Sequence, residues 1–365
     1  MNIDRRTYAA AAGLLAACMA APIASAQEFM TYQYGASAGA ISQVSVANLA
    51  PNWVVTGVRN SQGNVELIAW ESTGHALVRK GSATGPTIAN AKVSTVALSP
   101  NLVVTAAIGT EGFVALYSWS VSSSGAVTLA NAAGGLSARA VSVANVGNNI
   151  VLTANVTSDP ALYLQTWLVT SSGIVWESTG SGGSLVTNTA IAAAGNGKAV
   201  TASRTGAGDL RLDTWAVDAF GNVTDVASAS AGAISQLDIT AWDAGHVATP
   251  VRNSAGDLEL IDWAVNPTTG AIARKSSATV GAVSQVAAST IGPLVFTASV
   301  NSSGKVDAGV WGYNGSQINA GVSTPEEAGS AVAAAPLSAE LYSVTASRTA
   351  AGNLQVDVWY GDYVP

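Results

Sequence analysis

From residue 30 onwards the chain is written in short runs of alternating apolar and polar residues, broken by Gly, Asn, Ser or Pro. Residues 233–277 show the pattern best: AISQLDIT (233–240), VATPVR (247–252), DLELIDWAV (257–265) and AIARKSS (271–277). Val, Ile, Leu and Thr dominate these runs, and a period of two places alternate side chains on opposite faces of a strand. Each run therefore predicts a β-strand. Between the second and third runs stands Asn253-Ser254-Ala255-Gly256. Asn opens a type I turn and Gly accepts the left-handed conformation that follows, which predicts a hairpin. Asn60-Ser61-Gln62-Gly63 repeats the same turn. No stretch after residue 26 sustains a helical period.

The four-run phrase recurs. Trp70, Trp119, Trp167, Trp215, Trp263, Trp311 and Trp359 stand 49, 48, 48, 48, 48 and 48 residues apart. Fourteen residues before each stands a Thr: Thr56, Thr105, Thr153, Thr201, Thr249, Thr297 and Thr345. Seven residues before each stands Gly, except where Pro160 replaces it. Seven four-stranded units of about 48 residues predict an all-β fold, a seven-bladed β-propeller. A linear solenoid needs polar end caps, which the sequence lacks. The seventh unit opens near Ser330–Ala335 and ends its third strand at Trp359, so its fourth strand is missing. MTYQYG (30–35), just before the opening strand AISQVSVA (40–47), is expected to supply it and close the ring. The phased Trp should fill the wedge between blades, with Thr satisfying a polar partner in the same layer.

Trp at the end of the third strand and an N-terminal segment completing the last blade resemble the seven-bladed WD-repeat-like propellers. The resemblance covers residues 30–365 as architecture only. The residues after the phased Trp are Glu71, Ser120, Leu168, Ala216, Ala264, Gly312 and Tyr360, where WD repeats carry Asp, and no Gly-His pair recurs in phase. The resemblance implies a fold and leaves the function to be argued from sites.

Composition adds a location. Arg5-Arg6, an Ala/Leu run from Ala9 to Ala21, Pro22 and Ala24-Ser25-Ala26 read as an export signal with cleavage after Ala26. The expected organisation is a signal peptide over 1–26 and a single propeller domain over 27–365, periplasmic or extracellular. Two readings compete: Leu15-Ala16-Ala17-Cys18 resembles a lipobox that would anchor the chain through lipidated Cys18, and Arg5-Arg6-Thr7-Tyr8 faintly resembles a twin-arginine signal. No later segment approaches the ~20 apolar residues of a spanning helix. The net charge of −7 with scattered charges argues against a nucleic-acid partner.

Candidate chemistry is sparse. Cys18 is the single cysteine, and His75 and His246 are the two histidines. No zinc spacing, calcium loop or phosphate loop appears, so no metal or cofactor is expected. Gly35-Ala36-Ser37-Ala38-Gly39 matches a nucleophile elbow in letters, but it joins two strands where that motif needs a strand-to-helix turn. Asp238, Lys92 and Arg139 lie on or beside first strands and are candidates to line the channel. Asp213 and Asp357 hold equivalent places in blades 4 and 7, too far apart to pair.

The recurrent arginines are the most informative irregularity. Arg59, Arg204, Arg252 and Arg348 stand eleven before the Trp; Ile108, Val156 and Val300 replace them elsewhere. They should sit at the ends of second strands, near the hairpins. With Asn60 and Asn253 they form the candidate ligand-binding set, since a guanidinium fork suits carboxylates, phosphates and sugar hydroxyls. The alternative is structural: a salt bridge, with Glu66 or Glu259 as partner, or a carbonyl cap between blades. Trp53, Trp176 and Trp242 fall out of phase and either pack or stack on a partner. These features favour a binding module for a glycan or a protein partner, the latter suggested by unequal loops such as Ser323–Glu327. The alternatives are a polysaccharide lyase or hydrolase at the channel mouth and a structural envelope protein.

Overall fold

The computed structural model describes residues 29–243, 245–313, 318–322, 328–337 and 341–362. The expected leader 1–26, with Cys18, and the loop 323–327 lie outside the described residues. Every described strand pair is antiparallel, and the ladder divides into seven four-stranded units. Within each, the strands follow sequence order from the channel outwards. The first strand of each blade lies against that of the next, and that of blade 7 lies against that of blade 1, which makes the ring.

The ring closes where the sequence places the clasp. One strand, Phe29–Ala50, serves two blades. Its first half pairs with Asn353–Asp362, from Phe29↔Asp362 to Ala40↔Asn353, and is the fourth strand of blade 7. Its second half pairs with Trp53–Asn60 and is the first strand of blade 1. The sequence reads two separate runs here. The backbone stays extended because Gly35 lets the strand cross Asp357: a Cβ at Gly35 would stand 2.2 Å from Oδ1 of Asp357. Val223–Leu237 and Ile272–Ile291 likewise run on from one blade into the next.

The repeat letters build one buried layer. In all seven blades the Trp indole Nε1 donates to the Oγ1 of the Thr fourteen residues earlier, at 2.8 to 3.2 Å. The seven indoles are almost fully buried. Antiparallel pairing places the two residues on adjacent strands and one face, and burial requires the indole N–H to find an acceptor. Small residues on the preceding blade make room: a Cβ at Gly85 or Gly182 would stand 3.2 or 3.0 Å from the rings of Trp119 and Trp215. The hairpins also form as expected. Gly63 and Gly256 adopt φ of 84° and 91°, and each bonds back to its Asn carbonyl at 2.9 and 3.0 Å.

Blade 5 departs from its expected first strand, 233–240. That strand breaks after Leu237 and resumes at Thr240. Asp238 stands in the gap, where its Oδ2 accepts from the backbone N of Ala288 in blade 6 at 3.0 Å.

Candidate binding site at the channel mouth

The four phased arginines stand at the ends of second strands, beside the hairpins, and they perform one task. Each Nε donates to a carbonyl at the entry to the next blade: Arg59 to Ile88 at 3.1 Å, Arg204 to Ile234 at 2.7 Å, Arg252 to Val283 at 2.6 Å and Arg348 to Ile41 at 2.7 Å. Each Nη1 donates to a hydroxyl on its own blade's first strand: Ser42, Thr187, Ser235 or Ser330, at 2.9 to 3.3 Å. The remaining Nη2 lies over the hairpin glycine, where a Cβ would stand 3.0 to 3.3 Å away. Of the two structural alternatives, the carbonyl cap is therefore the one formed. The salt bridges go elsewhere, because Glu66 pairs with Arg79 at 3.2 Å and Glu259 with Arg274 at 2.8 Å across to the fourth strand. Asn60 and Asn253 accept from two backbone amides each within their own turns, at 3.0 to 3.1 Å.

Arg139 stands just before the first strand of blade 3, Ala140–Gly147, and its Nη2 donates to the Val186 carbonyl at 2.8 Å. Val186 opens blade 4, so Arg139 supplies the cap that Val156 cannot. Two different strands reach the same carbonyl, and this equivalence is invisible in the linear repeat. Lys92 is exposed on the lead-in to Ser94–Ser99 and makes no ion pair among the described residues.

Arg348 also faces a polar cavity of about 350 Å³ at the channel mouth, with Ser42, Gln43, Asn90, Gln285 and Ser330. Blades 1, 2, 6 and 7 contribute these side chains. Gln43 is the residue paired with Arg59 in the ladder; Asn188, Gln236 and Gln285 hold the equivalent place in blades 4, 5 and 6. Side-chain amides thus recur around the mouth. The signal for them is the recurring Ala-Ile/Val-Ser-Gln at Ala40–Gln43, Ala233–Gln236 and Ala282–Gln285. The candidate set of arginines and asparagines does not include it. Gln43 and Asn90 approach each other at 3.5 Å.

The titratable groups do not converge. Asp238 is held by Ala288, and Lys92 stands at the hairpin end of blade 2. His246 begins the strand His246–Asn253 at the opposite end from the hairpin and bonds through Nδ1 to Oδ1 of buried Asp262 at 3.1 Å. Asp213 takes a bidentate bond from Arg211, at 2.7 to 3.1 Å, and Asp357 accepts from Gln355 at 2.6 Å. Burial lifts the Asp213 carboxyl above its ordinary value, while Arg211 holds it back. Among the described residues no three His, Cys, Asp or Glu gather as a metal site. Of the out-of-phase tryptophans, Trp53 and Trp242 are half-buried against core clusters, and Trp176 is 57% exposed.

Comparison with known proteins yields the fold. No family model and no curated protein matches the sequence. Solved structures match throughout. A chain of a mitotic checkpoint complex aligns with a TM-score of 0.60 and 16% identity, covering 97% of this chain and 100% of that one. The WD40 domain of Toxoplasma gondii coronin aligns at 0.64 with 11% identity, over 93% and 87%. The C-terminal WD40 domain of Sif2 aligns at 0.56 with 14% identity, over 92% and 99%. The protein has a WD-repeat-like β-propeller architecture.

Proposed function

We propose that the protein is an exported binding module, secreted or periplasmic, and that its partner docks on the channel mouth of the hairpin face. The observation that carries this reading is the open polar cavity there, lined by amides and hydroxyls from four blades. Amides and hydroxyls both donate and accept, which suits an extended peptide backbone or the hydroxyls of a glycan. A protein segment is the first reading, because a propeller of the same fold is part of a mitotic checkpoint complex. A glycan is the second, favoured by the hydroxyls of Ser42 and Ser330 beside the amides. The leader over 1–26 supports export, with lipidation at Cys18 as the alternative that would keep the module on a membrane. A lyase or hydrolase finds less support, since Asp238, His246 and Lys92 serve separate neighbourhoods. A purely structural envelope role leaves the mouth unused.

Peptide and glycan arrays probed with the purified protein and with Gln43→Ala/Gln285→Ala test this reading. The Gln43 bond to Asn90 is long, at 3.5 Å, and exposed, so the variant should keep its melting temperature and lose its array signal. Full binding by the variant, or no binding by the folded wild type on either array, would overturn the mouth as the docking site.

A further inference from the structure

Blade 6 lacks a side chain that the other six blades possess. The position two before the phased Trp faces the phased Thr across the ladder. It holds Ile68, Tyr117, Gln165, Asp213, Ile261 and Asp357 in the other blades and Gly309 in blade 6. The neighbouring second-strand position holds Ser299, as blades 4 and 7 hold Ser203 and Ser347, where blades 1 and 5 hold Val58 and Val251. A cavity of about 200 Å³ opens there on the hairpin face. Its lining includes Trp311, Thr297, Ser299, Asn301, Asp307 and Gly309. Leu258 and Val283 supply apolar wall.

The polarity of this cavity is uneven. In blades 4 and 7 the third strand places a donor, Arg211 or Gln355, two residues before an acceptor, Asp213 or Asp357, and the two bond to each other. Blade 6 has an acceptor, Asp307, at the donor's place and no side chain at all at the acceptor's. Asn301 Nδ2 donates to both oxygens of Asp307 at 3.1 and 3.2 Å, and no ion pair reaches it among the described residues. The site therefore has space beside a carboxylate that is short of donors.

We infer that this cleft holds the side chain of an arginine or lysine from the protein partner, with the cation on Asp307 and the aliphatic stem along the apolar wall. The inference rests on the protein-partner reading above. A long basic side chain matches both halves of the cleft, because its stem buries well while its head seeks an acceptor. A carboxylate removed from water binds a cation more strongly than one on an open surface. Burial does raise the Asp307 carboxyl above its ordinary value, with the Asn301 bond and the charge of nearby Lys305 holding it back. The net charge of −7 favours approach of a basic segment. The cleft and the channel mouth share the hairpin face, so one partner can reach both.

Calorimetric titration of the full chain with N-acetyl-arginine amide, N-acetyl-citrulline amide and glucose tests the inference. The expected result is saturable binding of the arginine derivative, at least about tenfold tighter than the uncharged citrulline isostere. Gly309→Ile restores the blade 5 residue and Asp307→Asn removes the charge; each should abolish that binding. Should Gly309→Ile fail to fold, Asp307→Asn decides alone. Gln43→Ala/Gln285→Ala should leave it intact. No arginine binding, equal binding of citrulline, binding of glucose alone, or arginine binding that survives in Asp307→Asn would overturn the assignment. The outcomes separate from those of the array test. Array binding that depends on the mouth glutamines, without arginine binding here, leaves the mouth in place and removes only the cleft.

Discussion

Two layers of the ring obey different rules. In the Trp–Thr layer, seven blades make one bond with one geometry. Two residues further along the same strands, towards the hairpins, the facing pairs vary: Val58 with Glu66 and Val251 with Glu259, but Asn155 with Tyr163, Ser203 with Arg211 and Ser299 with Asp307. The first layer is dry and wedged between blades, where one indole fills one gap and any change leaves a hole. The second layer is half open to water, where several polar solutions satisfy the same backbone. Repetition therefore marks the scaffold, and variation marks the places where blades are free to take on separate work.

Substitutions should separate the layers by magnitude. Trp263→Ala empties the wedge and should cost about 3–5 kcal/mol in denaturant unfolding. Thr249→Val keeps the volume but leaves a buried indole N–H without its acceptor, at about 1–3 kcal/mol. If the second loss matched the first, the bond and not the packing would dominate the layer. Arg252→Ala uncaps the Val283 carbonyl at the edge of that layer. Because the arginine is half-exposed and water can replace part of the bond, the expected loss is about 1 kcal/mol.

Stability should respond to pH where the two layers are tied together, through Asp213 opposite Thr201 and Arg211 opposite Ser203. Burial lifts Asp213 above the ordinary carboxyl value of 3.8, and the Arg211 bond opposes that lift. A raised acid holds its proton more tightly in the folded chain, so its contribution is complete below the ordinary value and falls as pH rises through the folded one. Arg211→Gln removes the restraint and should steepen the loss of stability as pH rises above the ordinary carboxyl value. Asp213→Asn should remove that part of the slope. The smallest effect belongs to Gln43→Ala/Gln285→Ala, with stability unchanged within about 0.5 kcal/mol. A larger change there would move the mouth glutamines from the site to the scaffold.

What the sequence makes legible follows the same division. The Trp and Thr can be read because each copy solves the same packing problem at the same spacing, and the clasp over 30–35 because one strand is missing from the count. Three things escape a linear reading. The strand through Gly35–Gly39 looks like a turn, since small residues there serve a crossing between blades and do not break the ladder. The equivalence of Arg139 to Arg59 runs through the carbonyl it reaches and not through its own position. Gly309 is in plain sight two before Trp311, yet its meaning appears only once Thr297 is known to face it.

The strand Phe29–Ala50 sets a schedule. Phe29 pairs with Asp362, so one of the earliest segments of the ring to be synthesised waits for the last segment of its partner. Until Asn353–Asp362 emerges, the fourth strand of blade 7 has no third strand to pair with, and the ring stays an open arc with two bare edges. Such long-range pairing is slow. The earlier blades can pair within themselves as they are made, but the ring becomes a closed body only when the last blade is made.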